Sequence, residues 1–252
     1  MIFILIFNFF LFLTFVILGT QFKRNLWLTV AYIGMFVLAS SNVIYYLHFF
    51  DKAIFYYNYR VQFWADFTPS LSGFLVGLSI KINSAFSKVL ILPFLILTST
   101  LFILGPWAKN FITPIAYDKL PNQWKENICL QSIGTCGPCS LANILNHNGL
   151  KTTENELAKE AFTTATGTES WYLARCARRR GFQTKFIYRA NHLEKGSIIG
   201  VSLGKAGHFI AILDIKDDNL LIADSLVGLR KMKMDEFQQK YHFSGMSLII
   251  FK

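Results

Sequence analysis

The run Gly134-Thr135-Cys136-Gly137-Pro138-Cys139 stands just ahead of apolar residues at helical spacing, Leu141, Ile144, Leu145 and Leu150, with Gly149 as a stop. Pro138 near the first helical position suits a helix start. A thiol at such an N-terminus is favoured as thiolate by the positive end of the helix dipole. To act as a nucleophile it also needs a base, and donors for the oxyanion formed on attack. His208, at the start of a strand-like segment, is the candidate base. Asp224 ends the next such segment, where a carboxylate would hold the imidazole in the useful tautomer. A hairpin turning about Lys216 would set residues 208 and 224 directly opposite, about 5 Å apart between Cβ atoms. Gln131, upstream of Cys136, offers a side-chain amide to the oxyanion.

The four cysteines leave other chemistry open. Cys136 and Cys139 have the spacing of a redox pair or half a zinc site, and Cys129 and Cys176 could complete four ligands, though at irregular spacings. The simpler expectation makes Cys139 a packed residue one turn into the helix, and Cys129 and Cys176 buried small apolar residues. No metal and no cofactor is expected. His147, His192 and His242 lie away from these segments and read as solvated.

The elements that must position this chemistry follow from periodicity. Thr153-Glu154-Asn155-Glu156 has the form of a capping box and opens a helix through about residue 162. Another helix runs from Trp171 and ends by Gly181. Beyond it, 182–188, 197–202, 208–214, 219–224 and 246–251 read as strands, with a short helix capped by Asp235. Residues 109–127 read as irregular. Helices first and an antiparallel sheet second make an α+β domain.

Gln131…Thr135-Cys136-Gly137-Pro138-Cys139-Ser140-Leu141-Ala142 resembles the nucleophile signature of the C39-like cysteine peptidases, papain-like domains best known for cleaving leaders in bacteriocin exporters. Gly167-Thr168 with the helix before Arg180-Gly181-Phe182, the histidine strand Gly207-His208-Phe209-Ile210-Ala211-Ile212, the aspartate segment Ile222-Ala223-Asp224-Ser225, and Met234-Asp235-Glu236-Phe237 resemble further family motifs. The resemblance spans about 115–252. It implies a papain-like fold, Cys136, His208 and Asp224 as a triad, Gln131 in the oxyanion hole, and a peptide or protein substrate. Three departures stand out: Thr135 where exporter domains usually carry Asp, Gln131 five rather than six residues before the cysteine, and no Walker motif. Exporter coupling is therefore not expected, and a double-glycine leader substrate does not follow from the resemblance.

The rest of the chain is of another kind. Residues 1–108 hold only eight charged side chains of the chain's 40, so 1–108 is expected to be a transmembrane helical domain and 109–252 the peptidase domain. Uncharged runs at 1–22, 25–50 and 89–108 are each long enough to cross a hydrocarbon core of about 30 Å as helices. A weaker stretch, 61–80, is interrupted by Asp66 and Pro69; it brings the bundle to about four spans, with a re-entrant or interfacial segment as the alternative. Residues 1–22 lack a basic leading region and read as a retained anchor rather than a signal peptide. Asp66 and His48 are expected near span ends, snorkelling to the interface.

The net charge of +10 is spread out, and its one dense cluster, Arg178-Arg179-Arg180, ends a helix, where solvated cations complement the dipole. No aromatic-interleaved basic stripe suggests nucleic acid. Lys23, Arg24, Lys81 and Lys88 favour a cytoplasmic side for their loops and so an extracytoplasmic peptidase domain, although Lys52, Arg60, Lys109, Lys119 and Lys125 oppose it. The resemblance implies a bacterial plasma membrane. The expectation is a membrane-anchored cysteine peptidase. The alternatives are an acyltransferase or transglutaminase-like enzyme with the same triad, and a non-catalytic sensor or binding module.

Overall fold

The computed structural model describes residues 1–21, 26–81, 85–189, 192–204 and 206–252. Lys23 and Arg24, part of the orientation reading, lie outside these. The chain forms two compact units, Met1–Asp51 with Gln62–Ala108, and Lys52–Val61 with Lys109–Lys252.

The first helices are α1 (Ile2–Gln21), α2 (Leu26–Ile44), α3 (Ile54–Val61), a 3-10 helix (Phe63–Ser72), α4 (Gly73–Ile80), α5 (Leu92–Leu104) and α6 (Ala108–Ile112). Among the described residues, three helical stretches are long and apolar enough to cross a membrane: Ile2–Gln21, Thr29–Leu47 and Lys88–Lys119. The stretch with Pro69 is not one of them. Its Ala65, Thr68, Ser70, Ser72, Gly77 and Ser79 are buried inside the first unit. That burial explains its weak hydropathy, because these residues face other helices. A Cβ on Gly77 would overlap the carbonyl of Val16, and one on Gly19 the carbonyl of Phe74, so α1 and α4 approach backbone to backbone. Asn8 and Asn42 donate to the carbonyls of Asp66 and Ala65, satisfying backbone acceptors of the 3-10 helix. Asp66 itself is buried, which corrects the expectation that it snorkels. His48 is exposed and pairs with Asp51.

In the second unit, a small hairpin, β1 (Gln123–Lys125) and β2 (Ile128–Leu130), precedes α7 (Cys136–His147), α8 (Glu154–Glu160) and α9 (Ser170–Arg179). Then come β3 (Gln183–Tyr188), β4 (Ser197–Leu203), β5 (Ala206–Lys216), β6 (Asn219–Asp224), β7 (Gly228–Lys233), α10 (Met234–Lys240) and β8 (His242–Phe251). The six main strands form one antiparallel sheet in the order β3-β8-β4-β5-β6-β7. Ile210, Ile212, Leu220 and Ile222 share a face of β5 and β6 and pack with Phe237 and Tyr241 into the core. The capping box at Thr153 and Glu156 is present. Asp235 sits within the first turn of α10, whose cap position is Lys233. Arg180 is no free surface cation: it grips Glu160 through two bonds, at 2.8 and 2.9 Å.

The segment Lys52–Val61 lies within the predicted membrane half but groups with the second unit. Arg60 stacks on Trp171 at 4.8 Å, and Tyr57 lies 5.3 Å from Phe186 between ring centroids. Arg175, buried on α9, donates to the carbonyls of Arg60 and Val61 at 2.6 and 3.1 Å. Charge counting along the chain does not register such docking, since the contacts are aromatic and backbone ones.

Candidate active site

Cys136 opens α7, so its backbone N–H is among the first-turn donors that lack an intrahelical acceptor. Ser140, one turn on, donates to the carbonyl of Phe209 at 3.0 Å and pins α7 beside His208 on β5. The Cys136 thiol, half exposed, stands close enough to His208 to raise the pKa of its imidazole. The imidazole Nε2 lies 2.9 Å from Asp224 Oδ1, with both side chains buried. Nδ1 is therefore the ring nitrogen left for the thiol.

The strand register differs from the one expected. The hairpin turns on Asp217 and Asp218, both at positive φ, and a bulge falls between Ile212 and Asp214. Ala211 pairs with Ala223, so continuing the ladder sets Ile210, not His208, opposite Asp224. His208 and Asp224 are diagonal neighbours on one face, and their side chains close the gap.

Asp224 is held from three directions. Besides His208, the Leu226 N–H donates to Oδ1 at 3.0 Å and the Tyr241 hydroxyl to Oδ2 at 2.8 Å. Burial opposes its charge, but these donors outweigh burial and keep the carboxyl below its ordinary value. At His208, burial likewise disfavours the cation. The bonds and charges of Asp224 and Cys136 prevail and raise its pKa to about 9. Tyr241 is pushed upward by burial and by Asp224. Nothing in the sequence marked Tyr241 for this role beyond its place at the end of the short helix.

Gln131 is fixed from the same side. Its N–H donates to the Ser225 carbonyl at 2.9 Å, and its Oε1 accepts from the Ser225 hydroxyl at 2.7 Å. This directs the donor end of the amide, Nε2, away from Ser225.

Cys129 and Cys139 form a disulfide with Cα atoms 5.2 Å apart. The expectation of two isolated buried thiols is corrected, and the bond removes Cys139 from a redox pair with Cys136 and both residues from a zinc site. A pairing between strand and helix at this spacing leaves no periodic trace in the sequence. Cys176 remains a buried free thiol, which desolvation pushes up to about 12. Among the described residues, no group of three or more His, Cys, Asp or Glu could hold a metal ion.

The sequence profile of the peptidase C39 family matches residues 125–252, a span that contains all four residues above. An uncharacterized protein of Methanothermobacter thermautotrophicus is 32% identical over 127 residues, covering 50% of this chain and 88% of its own. One from Methanothermobacter marburgensis is 31% identical over 127 residues, with the same coverage. Among solved structures, the peptidase domain of Streptococcus ComA, a bi-functional ABC transporter involved in a quorum sensing pathway, is 23% identical. The match covers 48% of this chain and 93% of that one, at a TM-score of 0.42.

Proposed function

The chain belongs to the peptidase C39 family, and on that premise we propose that it is a membrane-anchored cysteine peptidase that hydrolyses a peptide bond through Cys136, His208 and Asp224. The observation that carries this reading is the buried His208–Asp224 bond beside the half-exposed thiol of Cys136. The Cys136 sulfur attacks the scissile carbonyl carbon. The oxyanion is met by the Cys136 N–H and the Gln131 amide. His208, charged up to about pH 9, gives its proton to the leaving amine as the C–N bond breaks, leaving a thioester. His208 then takes a proton from water, the resulting hydroxide attacks the thioester carbonyl, and the acid and the thiol are released. Asp224 keeps the imidazole oriented throughout. The test is to incubate the full chain with a peptide mixture in 18O-labelled water and sequence the products by mass. New carboxyl termini carrying the label are expected. Termini joined to an amine would contradict hydrolysis in favour of acyl transfer.

Because α3 packs on α9 and β3 within the peptidase unit, residues 52–61 and 109–252 lie on one side of the membrane. The intervening chain leaves and returns to that side, and α5 accounts for one crossing. The second falls to the 3-10 helix with α4, whose 10 and 8 residues rise about 20 and 12 Å, enough for a core of about 30 Å. Four crossings follow, and the N-terminus shares the peptidase side. Lys81 and Lys88 then lie on the cytoplasmic side. The Cys129–Cys139 disulfide supports the extracytoplasmic side, since such bonds persist in oxidising compartments, here outside the plasma membrane. In intact cells, Cys129 and Cys139 should resist alkylation until a membrane-impermeant reductant is added outside. Alkylation of both without reductant would place the domain in the cytosol.

A further inference from the structure

Glu154 opens α8 as its first residue and is fully buried. Its Oε1 accepts from the Ser132 N–H at 2.8 Å and from the Thr135 hydroxyl at 2.5 Å. These donors sit at the two ends of one tight turn. The turn starts directly after Gln131 and ends directly before Cys136, and it closes on itself as the Ser132 N–H and the Thr135 N–H bond to Thr135 Oγ1 and the Ser132 carbonyl. Gly134 inside it lies at φ +73°, where a Cβ would strike the carbonyl of Thr164. The turn can therefore yield little on that side. Its remaining freedom is the separation of its ends, and both ends rest on one carboxylate oxygen. The other oxygen, Oε2, is buried and has no hydrogen-bond partner among the described residues. α8 is itself held in place here, since the Glu154 N–H donates to Asn122 Oδ1 at 3.1 Å.

Resting on the peptidase reading above, we infer that Glu154 is a positioning residue: through Ser132 and Thr135 it sets the distance between the Gln131 amide and the Cys136 N–H, the two donors of the oxyanion hole. It touches neither substrate nor sulfur. A donor displaced by about 1 Å costs on the order of 100-fold in rate. The oxyanion forms only after attack, so that cost falls on kcat rather than on substrate binding.

The test compares Glu154→Ala, Thr135→Ala and Thr135→Ser in the full chain by peptide hydrolysis, by alkylation of Cys136 with iodoacetamide, and by thermal unfolding. Alkylation displaces iodide from carbon and builds no oxyanion, so it reads the nucleophile alone. Glu154→Ala and Thr135→Ala are expected to lower kcat about 10- to 100-fold, with KM within about twofold and alkylation rate unchanged. Thr135→Ser, which keeps the hydroxyl, is expected to restore most of kcat. An unchanged kcat in both variants overturns the proposal. So does an alkylation rate that falls in step with kcat, which would mean that Glu154 acts on the thiol, and so does unfolding at the assay temperature that accounts for the loss. Absence of hydrolysis by the unmodified chain would instead sink the peptidase reading itself.

Discussion

Cys136→Ala is expected to abolish peptide hydrolysis, lowering kcat on the order of 10^4- to 10^6-fold while the protein stays folded. The size follows from what is removed. Without the sulfur no thioester forms, and what remains is the rate supplied by binding and by the oxyanion donors alone. The fold should tolerate the change because the side chain is half exposed and the disulfide partners of the same segment are Cys129 and Cys139. His208→Ala should be nearly as damaging to rate but harder to interpret. It would strand a buried carboxylate with only the Tyr241 hydroxyl and the Leu226 N–H as donors. Steady-state hydrolysis of one cleaved peptide, with circular dichroism of each variant, checks both.

Asp224→Asn should lower kcat by about 10^2- to 10^4-fold and also move the pH profile. In the intact site, burial works against the His208 cation, and Asp224 and Cys136 more than compensate, giving a value of about 9. Activity that needs the charged ring should therefore decline on the alkaline side near pH 9. Asparagine keeps the shape but loses the charge, so burial gains weight and the alkaline limb moves toward or below the ordinary histidine value of 6.5. The same shifts bear on stability. The raised His208 value means its charge stabilises the fold fully below about pH 6.5, and that contribution is lost as pH rises through about 9. The depressed Asp224 value contributes above the ordinary 3.8 and is lost as pH falls through its lower folded value. Residual kcat in D224N, measured from about pH 5 to 10 alongside the unmodified chain, decides the matter. An alkaline limb that does not move would detach Asp224 from His208.

Much of this site was legible because local signals coincide with the chemistry. Cys136 heads a helix that Gly137-Pro138 and the apolar spacing announce, and His208 and Asp224 lie on strands read from alternation. Their pairing was harder to see. The bulge between Ile212 and Asp214 and the turn at Asp217 and Asp218 shift the register, and neither follows from alternation. β1, β2 and β7 escaped because two are three residues long and the third is a half-buried strand rich in Lys and Arg at the sheet edge. Glu154 was visible only as part of a capping box, whose solvent-facing partner Glu156 carries the local signal. Its grip on the nucleophile turn bridges 22 residues to Ser132 and 19 to Thr135. In the membrane half, low hydropathy at 61–80 reflects packing inside the bundle, which a sequence window cannot tell from interfacial exposure.

The central claim is that Cys136 and His208 act as a pair. The most direct test follows alkylation of Cys136 by iodoacetamide from about pH 4 to 9.5 in the full chain and in His208→Ala, with the modified residue identified by mass. The pair predicts labelling at neutral pH that slows at least about 10-fold without His208, and a step in the intact profile near pH 9, where the imidazolium is lost, that the variant lacks. Superimposable profiles, each following a single ordinary thiol titration, would contradict it.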